Sequence, residues 1–188
     1  KVAVTLLNTA IARDPKFTLA YCLLNEVYVL EYRFGEDHSS QHLAAAKDAA
    51  ETALRLEPNR EEARLALARY YYHGLSDYRR TDQELSSIPS SAPHEVEFFT
   101  LASLVKRRLG QFEASIRDGE KAVELDPQNG ALAISLIQTY SGLRRFDHAE
   151  RAANAAIARL PGASTRPGPT SRHSSASWSG RTASSSPT

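Results

Sequence analysis

The sequence predicts an all-α fold, a solenoid of antiparallel helix pairs, from two recurring features. The first is a series of five prolines: after a first interval of 43 residues, the next three intervals are 35, 34 and 34 residues. The five are Pro15, Pro58, Pro93, Pro127 and Pro161. A period near 34 is the length of one helical hairpin, and hairpins of constant length stack into a solenoid.

The second feature is a row of mostly small residues at fixed distances before each proline. Five residues before the prolines lie Ala10, Ala53, Ile88, Ala122 and Ala156; eight before lie Leu7, Ala50, Leu85, Gly119 and Ala153; twelve before lie Ala3, Ala46, Thr81, Ser115 and Ala149. These offsets put the row on one face of a helix. Small side chains let two helices approach closely, and proline ends each helix because it has no N–H. The same reason predicts an early helix end before Pro89.

The turns between paired helices have their own pattern. Three of them carry an aromatic residue at the same place, Tyr78, Phe112 or Phe146. We expect this ring to fill the gap where the two helices diverge. Gly110, two residues before Phe112, suits a helix end that needs a positive φ.

Composition excludes several classes of protein. Lys and Arg total 23 against 22 Asp and Glu, a formal net charge of +1, which argues against a chain that binds polyanions along its whole length. The single cysteine, Cys22, excludes an internal disulfide framework. Because no apolar run approaches the ~18 residues of a membrane span, we expect a cytoplasmic protein.

Catalytic and metal-binding patterns are missing from the sequence. It has no glycine-rich phosphate loop, and Cys22 lies among apolar residues, where an inert buried thiol is the expected state. His38 and His42 have a spacing that could bind a metal on a helix, but no third ligand is evident, so we interpret them as surface histidines. We therefore predict that the chain is not an enzyme and binds no cofactor or metal.

The segment VEFFTLASLVKRRLGQFEASIRDGEKAVELDPQN, residues 96–129, resembles the tetratricopeptide repeat, with Phe99 at the tryptophan place and Leu125-Asp126-Pro127 closing the unit. The resemblance extends over residues 1–161 and implies a right-handed superhelical solenoid. Its units are a half repeat at 1–17, then 18–60, 61–95, 96–129 and 130–161. The long second unit, containing HLAAAKDAAETALRLEPN, also resembles repeats of bacterial multi-domain regulators.

The resemblance implies a concave groove that binds a protein or peptide, and no small molecule. The candidate groove residues are Arg69, Tyr72, His73, Leu104, Arg107, Arg108 and Gln138. The three arginines predict an acidic ligand, unless Glu62 and Glu97 neutralise them. Some members of the family clamp a C-terminal carboxylate with Lys, Asn and Arg. The matching places here hold Cys22, Glu26, Ala66, Glu97 and Leu101, so we predict no such clamp.

Function beyond the groove stays open between three alternatives. The first is an interaction scaffold that is a fragment of a larger bacterial regulatory or assembly protein. The second is an accessory array of a larger kinase, cyclase or transferase. The third is nucleic-acid binding through residues 162–188, a Ser/Thr/Pro/Arg-rich tail with three arginines and no acidic residue, which we predict to be disordered. The sequence predicts no oligomeric state.

Overall fold

The computed structural model describes residues 2–35, 39–89 and 96–159, and every regular element in these ranges is a helix. The prediction of a disordered tail at 162–188 falls outside the described residues. The helices are α1 (Val2–Arg13), α2 (Thr18–Phe34), α3 (Ser40–Leu56), α4 (Glu61–Arg69), α5 (Tyr78–Ser86), α6 (Val96–Arg108), α7 (Phe112–Leu125), α8 (Gly130–Gly142) and α9 (Phe146–Ala158).

The helices pack as consecutive pairs. α2 packs on α3, α4 on α5, α6 on α7 and α8 on α9, and α1 packs on α2. The first helices of successive pairs also touch, α2 against α4 and α4 against α6. This arrangement confirms the predicted all-α solenoid of helix pairs.

The row of small residues lies at the helix interfaces in the middle of the array. Ala46, Ala50 and Ala53 are completely buried, and Ala122 is 1% exposed. The corresponding residues at the ends are less buried: α1 contains no buried residue, and Ala156 in α9 is half-buried. The interior pairs therefore have the tightest helix contacts.

The turns inside three pairs share one backbone feature. Ser76, Gly110 and Arg144 have positive φ values of 54°, 77° and 58°, and each lies two residues before the aromatic residue of its turn. The φ of Gly110 confirms the expectation for that residue. The expectation that the aromatic rings fill a gap is wrong for Phe112 and Phe146, which are 42% and 61% exposed.

Phe112 and Phe146 are the first residues of α7 and α9. The buried contact begins three residues later, at Ser115 in α7 and Ala149 in α9. The two rings thus precede the first buried residue of their helices, whereas Tyr78, at the start of α5, packs on a buried apolar cluster.

The α4–α5 pair departs from the regular pattern. A π-helical segment, Tyr70–Leu75, continues α4, so the single α-helix expected there widens in its last turn. This segment packs closely on α3: a Cβ added to Gly74 would lie 2.7 Å from Cδ2 of Leu43. α5 ends at Ser86, which agrees with the early end predicted from Pro89.

Candidate functional site

Residues of the first helices of four successive pairs, with Leu125 at the end of α7 and Asn129 in the turn after it, line an open cavity of about 970 Å³, hereafter the groove. Its polar and charged lining comprises Glu26, Arg33, Arg69, His73, Glu97, Thr100 and Asn129. Its apolar lining comprises Val29, Leu30, Val96, Leu125, Ala131 and Leu132. The groove therefore offers both aliphatic surface and charge to a ligand.

Arg69 joins three first helices at the groove. Its Nε donates a 2.9 Å hydrogen bond to Oε1 of Glu97 in α6, and its Nη2 contacts the same oxygen. Its Nη1 donates to Oδ1 of Asn25 at 3.0 Å and to the carbonyl of Cys22 at 3.5 Å, both in α2. Oε2 of Glu26 lies 3.8 Å from Nη2. One guanidinium thus uses its planar set of donors to tie α4 to both neighbours.

Asn25 connects Arg69 to the buried interface between α2 and α3. The residue is completely buried, and its Nδ2 donates a 2.9 Å hydrogen bond to the carbonyl of Ala46 in α3. That bond leaves Oδ1 directed at Arg69, so both ends of the amide are satisfied. The position of the guanidinium is therefore set by the α2–α3 pair as well as by α6.

The positively charged side chain of this network is much less exposed than the two negatively charged ones. The side chain of Arg69 is 10% exposed, whereas the side chains of Glu26 and Glu97 are each 43% exposed. A ligand entering the groove would meet the carboxylates before the guanidinium.

His73 also lines the groove, in the π-helical segment. Burial, followed by the positive charges of Arg33 and Arg69, lowers its pKa from 6.5 to about 4. Its ring meets that of Tyr72 edge to face, with centroids 4.8 Å apart. At neutral pH this histidine is uncharged and adds no cation to the groove.

Of the seven candidate groove residues, Arg69 and His73 line the groove. The other five, Tyr72, Leu104, Arg107, Arg108 and Gln138, are not part of its lining. Tyr72 and Leu104 belong to an apolar cluster between the α4–α5 and α6–α7 pairs. Gln138 is exposed on α8.

The three arginines have different kinds of partner. Arg69 is neutralised by Glu97, which was the alternative outcome. Nη1 of Arg107 donates to the carbonyl of Ser135 at 3.2 Å and to the hydroxyl of Thr139 at 3.1 Å. The guanidinium of Arg108 lies over the ring of Tyr78, 5.7 Å from its centroid.

The site predicted from the sequence missed the contribution of α2. Glu26, Val29 and Leu30 occupy the ninth, twelfth and thirteenth places of unit 18–60, the same places that supplied candidates in unit 61–95. Applying the repeat register to the longer unit would have found them. The bond between Asn25 and Arg69 has no comparable signal in the sequence.

Chemistry other than binding has little support in the described residues. Among them, no three histidine, cysteine, aspartate or glutamate side chains are placed to hold a metal ion. Nε2 of His42 lies 3.4 Å from Oε2 of Glu31, while His38 is outside the described ranges. Burial raises the pKa of the Cys22 thiol to about 12. Within the same ranges no helix has the length and apolar character needed to cross a membrane.

Comparison with known proteins gives one sequence match and several structural ones. The family model of the tetratricopeptide repeat matches residues 96–129. No curated protein sequence matches the chain.

Three solved structures illustrate the structural similarity. TTC0263, a tetratricopeptide-repeat protein of Thermus thermophilus, is 21% identical with a TM-score of 0.60, over 72% of this chain and 70% of that chain. YrrB is described as a tetratricopeptide-repeat protein with an unusual peptide-binding site. It is 17% identical with a TM-score of 0.60, over 83% of this chain and 75% of that chain. PilW, a type IV pilus biogenesis factor, is 15% identical with a TM-score of 0.65, over 81% and 66%.

Identities this low establish a shared fold and carry no function with them. The repeat match and the fold agree on the same unit, since residues 96–129 are the α6–α7 pair with its closing turn. Residues 96–129 are therefore identified as a tetratricopeptide repeat, and the described helix pairs share the fold of tetratricopeptide-repeat proteins.

Proposed function

We propose that the chain is a non-catalytic protein-interaction scaffold that binds a peptide or a partner helix in the groove. The observation that carries this proposal is the groove itself, an open cavity of about 970 Å³ walled by four successive first helices. It lies at the upper end of the volumes of roughly 300–1,000 Å³ that are usual for ligand sites.

The groove combines the surfaces that peptide recognition needs. Leu30 and Leu125 line it while remaining 45% and 43% exposed. Covering exposed aliphatic side chains with a ligand removes apolar surface from water, which contributes favourable free energy to binding. The carboxylates of Glu26 and Glu97 add partners for a polar or charged group. The peptide-binding site named for YrrB supports the same kind of use in this fold.

An acidic ligand stays a prediction: Arg69 is neutralised by Glu97, whereas Arg107 and Arg108 contact neutral groups and lie outside the groove lining. A role within a larger bacterial regulatory or assembly protein stays a prediction, as do the accessory role beside an enzyme and the cytoplasmic location.

A matched pair of leucines on α2 tests the proposal. Leu30 lines the groove and is 45% exposed, while Leu23, on the same helix and 51% exposed, is not part of the lining. The array would be used to select binders from a displayed library of random nonapeptides. Affinities of the selected peptides would then be measured for the wild type, Leu30→Asp and Leu23→Asp.

We expect Leu30→Asp to weaken the selected peptides at least about tenfold, because it puts a carboxylate against an apolar contact. Leu23→Asp should leave their affinities within about twofold, since it lies outside the contact. Circular dichroism would verify that both variants keep their helicity. Peptides that bind both variants equally well, or a selection without enrichment, would contradict the proposed function.

A further inference from the structure

We infer that the groove selects a ligand segment carrying a basic side chain, Lys or Arg, which binds the carboxylates of Glu26 and Glu97. This inference rests on the proposed function, and it adds the chemical class of the ligand. The observations behind it are the balance of charge around Arg69, the difference in exposure between the two signs, and the apolar surface beside the carboxylates.

The network around Arg69 contains one cation and two anions. Both contacts from Arg69 to Glu97 are made to a single carboxylate oxygen, Oε1. The contact from Arg69 to Glu26 is 3.8 Å, which is longer than a hydrogen bond. The guanidinium is thus neutralised largely by Glu97, and the network retains one unit of negative charge at the groove.

Exposure decides which charge a ligand can reach. Arg69 is buried under the two glutamates, and its side chain is 10% exposed against 43% for each of theirs. Its donors are also directed at Glu97, Asn25 and the Cys22 carbonyl. An acidic ligand would have to displace those bonds, whereas a basic ligand adds to the carboxylates from the open side.

The lining contains two further titratable groups, His73 and Arg33, and Arg33 adds one positive charge. His73 is uncharged at neutral pH, because burial and the neighbouring arginines lower its pKa. Arg33 is exposed near the end of α2, and its guanidinium lies over the ring of Phe34, 4.7 Å from the centroid. Arg33 therefore offsets the net negative charge of the network, and the preference for a basic group rests on the exposure of Glu26 and Glu97 beside the buried Arg69.

Apolar neighbours fit the stem of a basic side chain. Leu30, which is 45% exposed, follows Glu26 by one helical turn on α2, while Val29 and Leu132 line the same cavity but are buried. Lys and Arg bury their methylene stems against such surface while the charged head reaches a polar partner. The inferred ligand thus has a Lys or Arg with an aliphatic residue beside it.

The test is the sequence preference of the selected nonapeptides, followed by binding measurements with neutral groove variants. Glu26→Gln and Glu97→Gln remove a charge and keep the shape of the side chain. Glu51→Gln is the matched control, because Glu51 is half exposed on α3 and pairs with Lys47 outside the groove. Each variant would be titrated with one selected peptide and with the same peptide carrying Gln in place of its Lys or Arg.

We expect Lys or Arg to be enriched at one position, next to an aliphatic residue. Either groove variant should weaken the basic peptide about three- to tenfold at low salt and leave the Gln peptide within about twofold. Glu51→Gln should change neither peptide. The effect should shrink as salt rises, because exposed charges are screened.

Two failures are distinguishable. Selected peptides that depend on Leu30 but are acidic or neutral, or basic peptides that respond to neither glutamate variant, would overturn this inference and leave the proposed function intact. Selection without any dependence on Leu30 would overturn the proposed function and this inference together.

Discussion

The α6–α7 and α4–α5 pairs are held together in different ways. In α6–α7, the Ser103 hydroxyl donates to the carbonyl of Ser115 at 2.8 Å, and the Ser115 hydroxyl donates back to the carbonyl of Ser103 at 2.8 Å. These bonds stay within one pair. In α4–α5, Arg69 bonds outward to α2 and α6. The α6–α7 pair also bonds outward, through Glu97 to α4 and through Arg107 to α8. What distinguishes Arg69 is that one side chain bonds to both neighbouring pairs at the centre of the groove.

The largest expected difference between the two pairs is in the unfolding free energy lost when one polar contact is broken in each. Arg69→Met leaves the Oδ1 of Asn25 buried without its cation and should cost about 2–4 kcal/mol of unfolding free energy. Lys106, whose Nζ lies 2.6 Å from Asp118, forms a contact within the regular pair. Lys106→Met should cost about 1 kcal/mol, as for a partly exposed ion pair.

Urea denaturation followed by circular dichroism measures both variants. Equal losses of stability would mean that Arg69 does not join the pairs energetically, despite its bonds.

Enlarging one small residue at the same repeat place sharpens the comparison along the array. Ala122, in the regular pair, is 1% exposed, whereas Ala156, in α9, is half-buried. Ala122→Leu should overpack the interface and cost about 1–3 kcal/mol. Ala156→Leu should change stability by less than about 0.5 kcal/mol, because its side chain can extend into the open space on that side. A denaturant midpoint that is unchanged in Ala122→Leu would contradict the packing described above.

Substitutions at the positive-φ residues of two turns should change the melting temperature by less. The change should be upward in one turn and downward in the other. Gly110 and Arg144 occupy the same place in the α6–α7 and α8–α9 turns. In both turns the residue after it donates its N–H to a carbonyl five residues back, in bonds of 2.9 Å. A side chain at positive φ costs about 1 kcal/mol relative to glycine, so Arg144→Gly should raise the melting temperature and Gly110→Arg should lower it.

A fall in melting temperature on Arg144→Gly would mean that contacts of the arginine side chain outweigh its backbone strain. Gly110→Arg is the reciprocal control, because nothing lies within 4 Å of a Cβ added to Gly110.

The sequence predicted the parts of the fold that depend on repetition. The spacing of the prolines and the row of small residues located the helix pairs, because every unit must bury the same face. They could not predict the π-helical segment at Tyr70–Leu75, because the proline spacing contains no information about its packing on α3, where Gly74 lies against Leu43.

The groove was predicted less well for a related reason. Of the residues that the repeat register proposed, Arg69 and His73 line the groove, but charge alone could not tell which arginines would find partners. Arg107 is held by the carbonyl of Ser135, a backbone group that no pattern of side chains reveals. Partners across units depend on how the pairs stack, and that is set by the whole array.

The measurement that tests the account most directly is amide hydrogen exchange of the array with and without a selected nonapeptide. We expect added protection in the segments that wall the groove, residues 26–33, 69–73, 96–100 and 129–132, which belong to four different pairs. Exposed residues of the second helices, such as Lys47 and Asp48 of α3, should not change. Protection confined to the second helices or to the ends of the array would contradict the claim that the first helices form the binding surface.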